Sequence, residues 1–302
     1  MYVELLQVLK CPSCGGELKL GQVTNKESDE IIEGSIGCLC GLQVQIIHGV
    51  LDFNSKEQEF ANHWAEDYKK MDYEELDNKI ANGTPDNMKD LNNSAREYII
   101  EDLNNNKPQV ILDIASGRGM LATYIAEKIE YKPMLILSDL SFPVLKYDRL
   151  KMKKLNPSLK VNYVACDCTK LPFKDSSIDR CLSFYGIANM MDIALEGIKE
   201  ANRVLTENGL LLNSQIAVDT NTEVAKNLIK ELEEYFKVSS LKKLASVEGF
   251  KALHVEGGFD NCNIITIGES IAEKCDYDAI PIEGEWFTVI IANCNKLIQS
   301  QQ

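Results

Sequence analysis

The sequence predicts an α/β protein, an open and mostly parallel sheet wound with helices, preceded by a small cysteine-rich module. Three observations carry this. Apolar runs that end in an acid alternate with stretches of helical spacing from Val110 onward. A small-residue turn, Ala115-Ser116-Gly117-Arg118-Gly119, follows the first of those runs. Two cysteine pairs stand near the amino end.

Those pairs come first in the chain. Cys11-Pro12-Ser13-Cys14-Gly15-Gly16 and Cys38-Leu39-Cys40-Gly41 are separated by residues 15–37, enough for a short hairpin to bring them together. Four thiolates suit a tetrahedral zinc ion. The second pair is Cys-x-Cys, one residue tighter than the usual knuckle, and His48 is the nearby substitute for Cys38 or Cys40. A redox role for Cys11 and Cys14 needs a thioredoxin-like βαβ context that residues 1–50 lack. Residues 1–53 therefore read as a zinc ribbon and residues 54–94 as a helical segment with a polar loop. In the latter, Phe60, Trp64 and Tyr68 recur on one face of a helix predicted from Ser55 to Leu76. Asn- and Gly-rich residues 77–93 read as the loop.

Residues 95–302 form the main domain. Val110 to Ile114 is a strand, and Leu121 to Ile129 a helix. Gly117 and Gly119 permit positive φ and a close ligand approach between them, at a helix start that offers unpaired N–H groups. Met134 to Ser138 is a second strand ending in Asp139, and Val161 to Cys166 a third ending in Asp167. Acids at the carboxyl ends of strands lie where open α/β sheets bind ligands. Arg180 to Phe184 and Leu210 to Ile216 are the next strands, with a helix over Asp192 to Leu205 between them. Thr222 to Lys237 is helical, with Val224, Leu228, Leu232 and Phe236 on one face. Lys251 to Val255 and Trp286 to Asn293 read as a final strand pair. The Gly117-x-Gly119-x-x-Ala122 spacing also fits a dinucleotide fingerprint, which leaves a nicotinamide-dependent oxidoreductase open.

The order of the Asp113 loop, Asp139 and Asp167 resembles the class I S-adenosylmethionine-dependent methyltransferases. So do Leu171-Pro172-Phe173-Lys174-Asp175-Ser176-Ser177-Ile178-Asp179 and the segment from Glu200 through Arg203-Val204-Leu205 to Gly209. Five ordered blocks are more specific than one Gly-rich turn. The resemblance implies a Rossmann-like seven-stranded sheet closed by an antiparallel hairpin. It also implies that Asp113 and the backbone of Ala115, Gly117 and Gly119 face the methionine end of S-adenosylmethionine. Asp139 would accept from both ribose hydroxyls, Asp167 from the adenine amino group, and the Cys168 N–H would meet the ring. Leu140 and Phe184 join these cofactor contacts, and Tyr68 would lid them. The family usually has glycine where this chain has Ala115. The module resembles small zinc-ribbon partners of methyltransferases and the zinc-binding head of the ribosomal RNA guanine-N1 methyltransferases.

A formal net charge of −14 argues against a generic grip on nucleic acid. Lys146, Arg149, Lys151, Lys153 and Lys154 read as the solvated face of one helix. No apolar run approaches the roughly 20 residues that span a bilayer, and ten cysteines without a secretory signal suggest reduced thiols in the cytoplasm. The expected function is methyl transfer from S-adenosylmethionine to a small molecule or protein. RNA is the alternative acceptor, and a non-catalytic scaffold with the ribbon docking a protein partner is the rival of another class. No catalytic base is identifiable. Ser183-Phe184-Tyr185-Gly186 lacks the Asp/Asn-Pro-Pro-Tyr motif of amino-group methyltransferases acting on adenine and cytosine, and His63 and His254 read as isolated structural residues.

Overall fold

The structure is a computed structural model describing residues 1–54 and 72–296. The predicted helix bearing Phe60, Trp64 and Tyr68 falls almost wholly on residues 55–71, outside the described residues, so the proposed lid does too.

A short 3-10 turn, Val3–Gln7, leads into β1 (Leu18–Glu27), β2 (Glu30–Cys38), β3 (Gln43–Ile47) and β4 (Val50–Asp52). Two helices follow, α1 (Tyr73–Gly83) and α2 (Asp86–Asn106). Then come β5 (Val110–Ile114), α3 (Met120–Lys128), β6 (Met134–Asp139), α4 (Phe142–Leu155), β7 (Val161–Ala165), β8 (Ile178–Phe184), α5 (Ala194–Val204) and β9 (Leu205–Val218). The chain ends in α6 (Glu223–Phe236), α7 (Leu241–Leu244), α8 (Val247–Glu256), β10 (Asn261–Ile271) and β11 (Trp286–Asn295).

The expected seven-stranded sheet is in fact eleven-stranded, in the order β1-β2-β3-β4-β7-β6-β5-β8-β9-β11-β10. Strands β5 to β11 make a parallel core closed by antiparallel β11 and β10. The four strands of the module extend it, because β4 pairs in parallel with the edge strand β7, Val50 opposite Tyr163 and Asp52 opposite Ala165. An unpaired edge offers a row of free N–H and C=O groups, and the ribbon covers it. Alternate strand residues feed two cores. Leu112, Ile136 and Ile290 face one with Ala201, Phe250 and Leu253; Ile111, Leu135 and Ile291 face the other with Ile99, Leu121 and Leu145. Burial on both faces is why these strands read as continuous apolar runs.

A buried ion pair fastens the ribbon to α4. Arg149 donates from Nε and Nη2 to the Glu30 carboxylate at 2.8 and 3.0 Å, and Lys153 adds a contact at 2.8 Å. Lys151 meets Asp148 and Asp77, and Lys154 meets Glu74. The basic run is therefore not simply a solvated face: Arg149 and Lys151 are buried, and Arg149, Lys151, Lys153 and Lys154 pair with the chain's own acids.

Three further expectations are corrected. Residues 77–93 are not a polar loop but parts of α1 and α2, broken at Thr84-Pro85. Met88, Asn92, Ala95, Ile99 and Leu103 line the buried side of α2 at helical spacing, and that packing outweighs the weak helix propensity of its asparagines. Lys251 to Val255 is helix, not strand. Ser246 caps α8 by accepting from the Gly249 N–H at 3.2 Å, and Phe250, Leu253 and His254 are buried at i, i+3 and i+4. The partner of β11 is β10 instead. In α6, capped by Thr222, Ala225 and Ile229 are buried while Val224 and Phe236 are exposed, so the buried face is turned by one residue from the expected one.

Candidate active site and cysteine knuckle

Strand β5 delivers Asp113 to the base of the Gly-rich turn, where it is buried. Neither of its carboxylate oxygens has a hydrogen-bond partner among the described residues. Burial, with the charges of Asp148 and Asp139 nearby, pushes its pKa well above the usual carboxylate range. Ala115, Gly117 and Gly119 all take positive φ, +53°, +54° and +70°. Ala115 thus occupies the left-handed region where an alanine is strained, which is the physical content of the missing glycine. A Cβ on Gly117 would meet nothing within 4 Å, so this turn lines open space.

Asp139 organises the turn from the next strand. Its Oδ2 accepts the Gly117 N–H at 3.0 Å and its Oδ1 the Ser141 N–H at 2.8 Å. Burial raises its pKa, against these donors and the Leu140 N–H. Leu140 follows directly, and its carbonyl accepts from Asn54 Nδ2 at 2.8 Å, tying the end of the ribbon to the site. Asp167 is exposed, and its Oδ1 accepts from the Thr169 N–H and hydroxyl at 2.8 and 2.7 Å. Cys168 is buried beside it with its Sγ 3.5 Å from Met190 Sδ. The Cys166 N–H donates to the Asp139 carbonyl at 2.9 Å, so the ends of β6 and β7 stand side by side. Asp113, Asp139 and Asp167 therefore end three neighbouring parallel strands.

Phe184 ends β8, and Tyr185, at φ +64°, follows it with the ring centroids 4.5 Å apart. The Tyr185 hydroxyl meets Asn92 Oδ1, and burial pushes its pKa up, so it stays protonated. Arg96 lies over the Tyr124 ring at 4.9 Å and the Phe184 ring at 5.9 Å. Gly186 packs straight onto the turn: a Cβ there would come within 2.3 Å of the Ala115 carbonyl oxygen. Gly186→Ala is therefore expected to displace the turn, costing about 1–3 kcal/mol in stability, together with a loss of nucleotide affinity seen by calorimetry.

Two sequence blocks prove to be one structural unit. Glu200 accepts the Leu171 N–H at 2.7 Å, and Arg203 donates to the carbonyls of Leu171 and Phe173 at 2.9 and 2.8 Å. The same segment anchors the ribbon, through Lys10 to Asp175 at 2.7 Å and a bridge between Leu9 and Phe173.

Spacing along the chain did not reveal Asp148, which reaches the turn from α4. It is buried, 3.2 Å from Lys151 Nζ, and burial still raises its pKa to about 7. A Cβ on Gly119 would touch its Oδ1 at 3.0 Å. An acid within a basic run, three residues before Lys151, was the available signal. Asp77 of α1 bonds Arg118 at 3.0 Å and joins the helix to the turn.

At the other edge of the sheet the four predicted cysteines converge. Cys11 Sγ is 3.6 Å from Cys40 Sγ, Cys14 Sγ is 3.5 Å from Cys38 Sγ, and all four lie within 4.8 Å of one another. Zinc–sulfur bonds of about 2.3 Å give a tetrahedron with edges of about 3.8 Å, so the thiols are spaced for one ion. A Cβ on Gly16 would press on Cys14 and Cys38 at 3.2 and 3.4 Å, which is why the knuckle needs glycine. Both cysteines of the tight second pair take part. His48 stands apart in the turn after β3, its Nδ1 3.5 Å from Glu33.

Residues 89–274 match the ubiE/COQ5 methyltransferase family. The chain is 25% identical over 169 residues to the ubiquinone/menaquinone biosynthesis C-methyltransferase UbiE of Stenotrophomonas maltophilia, covering 51% of this chain and 66% of that protein. It is 31% identical over 140 residues to a demethylmenaquinone methyltransferase of Bacteroides fragilis, covering 46% and 54%. The chain thus spans less than two thirds of the length of these curated relatives. Among solved structures, the YcgJ protein of Bacillus subtilis aligns with a TM-score of 0.49 and 14% identity over 68% of this chain and 98% of its own. The family match begins beyond the ribbon and includes the turn and the three acids. The chain belongs to the ubiE/COQ5 methyltransferase family.

Proposed function

We propose that this protein transfers a methyl group from S-adenosylmethionine to a ring carbon of a small quinone-class acceptor. The observation that carries the cofactor is the buried Asp113 carboxylate, both oxygens without a donor, at the base of an open glycine turn. An unpartnered buried carboxylate is costly, and a cationic ligand relieves it. The acceptor class rests on the curated relatives, one named as a ubiquinone/menaquinone biosynthesis C-methyltransferase and the other as a demethylmenaquinone methyltransferase.

S-adenosylmethionine, when bound, supplies an activated methyl on a sulfonium, and the protein's task is alignment. Asp113 would hold the ammonium end, Asp139 the ribose hydroxyls through its remaining lone pairs, and Asp167 with the Cys168 N–H the adenine. Phe184 and Tyr185 offer an aromatic wall beside the turn, and the protonated Tyr185 hydroxyl is a donor rather than a base. No residue is assigned as the base that removes the ring proton. RNA is the weaker reading, since Arg149, Lys151, Lys153 and Lys154 of α4 are paired with internal acids.

We also propose that Cys11, Cys14, Cys38 and Cys40 hold one structural zinc ion. Burial raises the Cys11 pKa, while N–H donors from Cys14 and Ser13 and the Cys40 and Cys14 thiols lower it; a bound ion would draw the protons from all four thiols. The ribbon would recognise an acceptor or a protein partner beside the cleft.

Calorimetric titration with S-adenosylhomocysteine and with NAD tests the cofactor. Binding of the former alone is expected; a preference for NAD overturns the reading. Labelled-methyl transfer should then go to a demethylated quinol and not to ribosomal RNA, transfer RNA or cell protein. Label appearing in RNA instead would replace the acceptor, and cofactor binding without transfer to any of these would favour the scaffold.

A further inference from the structure

The histidine read as isolated is not alone. His254 of α8 stands with Cys262 and Cys294, one ligand atom from each lying within 4.8 Å of the others. Cys262 and Cys294 face each other in register across β10 and β11. All three are buried, at 0%, 4% and 0% exposure. The His254 Nδ1–H donates to the Phe250 carbonyl at 2.8 Å, which fixes the ring and leaves the Nε2 lone pair for a partner. That is the backing a metal-bound histidine ordinarily has. Asn213 Nδ2 is 3.1 Å from the ring's Nε2, while Asn213 Oδ1 is buried with no hydrogen-bond partner among the described residues. Rotating that amide by half a turn presents the oxygen to the same point.

We propose that Cys262, Cys294 and His254 form a second metal site, for a zinc-class divalent cation, with the Asn213 amide oxygen as fourth ligand. Two thiols surrender their protons on binding, and two thiolates with one divalent cation sum to zero charge. A neutral cluster suits an apolar interior, where an uncompensated charge is costly. Sulfur and imidazole donors select zinc-class ions over magnesium or calcium. A tetrahedral site with sulfur and nitrogen ligands has edges of about 3.5–3.8 Å, so donors within 4.8 Å of one another need to close by no more than about 1.3 Å. The ion would pin α8 to the closing hairpin, at the opposite edge of the sheet from the Cys11 knuckle.

Cobalt titration of the reduced, metal-stripped full-length protein tests this, because tetrahedral cobalt absorbs differently with four sulfurs and with two sulfurs and a nitrogen. A bound equivalent with the mixed-ligand spectrum is expected. Cys262→Ser/Cys294→Ser should abolish that equivalent, His254→Gln should shift or weaken it, and neither should change the four-sulfur spectrum of the knuckle. That knuckle spectrum doubles as a folding control. If the double variant does not fold, the wild-type spectrum and His254→Gln decide. Uptake of cobalt only with a four-sulfur spectrum, indifferent to His254→Gln, overturns the proposal. So does a Cys262–Cys294 disulfide in protein kept reduced throughout purification.

Discussion

Cys11→Ser is expected to abolish the zinc binding proposed for the amino-terminal knuckle and open the ribbon to protease, while the main sheet stays folded. Structural zinc in small modules has an apparent binding energy of about 10–16 kcal/mol, comparable with the whole stability of a domain. Cys11 is the fully buried member of the four, so its loss also removes a packed thiol next to Lys10, which holds the Pro172–Asp175 segment. Cleavage should concentrate in the two cysteine turns, residues 11–17 and 38–42, which meet through the thiols, rather than in β1 and β2, which are hydrogen-bonded to each other. It should spare β4, which is hydrogen-bonded to β7. Metal content per chain and limited proteolysis read the outcome. S-adenosylhomocysteine binding should survive in weakened form, since Asn54 carries the ribbon to Leu140. A metal-free ribbon that resists protease as well as the wild type would refute the zinc assignment.

Asp139→Ala is expected to lower affinity for S-adenosylhomocysteine about a hundredfold. Hydrogen bonds to charged groups contribute about 1.5–3 kcal/mol, and about 1.4 kcal/mol is a factor of ten. The carboxylate has two duties here. It would receive the ribose hydroxyls, and it already fastens the Gly117 and Ser141 N–H groups. Alanine leaves both donors unpaired and loosens the turn. Asp139→Asn keeps the shape and one acceptor, so it should lose less. Circular dichroism should show an intact fold in both. An unchanged dissociation constant for the alanine variant would remove Asp139 from the ribose position.

Much of the parallel core was legible because its strands are short, apolar and each end in an acid. Val110–Ile114, Met134–Asp139 and Val161–Ala165 lie within a residue of their expected limits. The cysteine pairs were legible for a different reason, since ligand spacing is a local property of a turn. The segment Lys251 to Val255 was misread because five apolar and polar residues alternate equally well in a strand or a buried helix. The Ser246 cap and the Gly257-Gly258 stop were the better signals. The asparagines of α2 pointed to a loop, and only contact of its apolar side with β10, β11 and α3 makes it a helix.

By itself, then, the sequence determined the strand–turn–helix unit, the three acids at strand ends and the four-thiol knuckle, all features set by neighbours within a few residues. Only the tertiary structure decided that the ribbon extends the sheet through β4 and β7. It alone set Asp148 against the turn, and brought His254 to Cys262 and Cys294. Those meetings depend on strand order and helix docking, which join residues distant in sequence through backbone pairing and apolar burial. Apolar burial marks which face of an element is covered but not what covers it, and backbone pairing leaves no mark on the side chains.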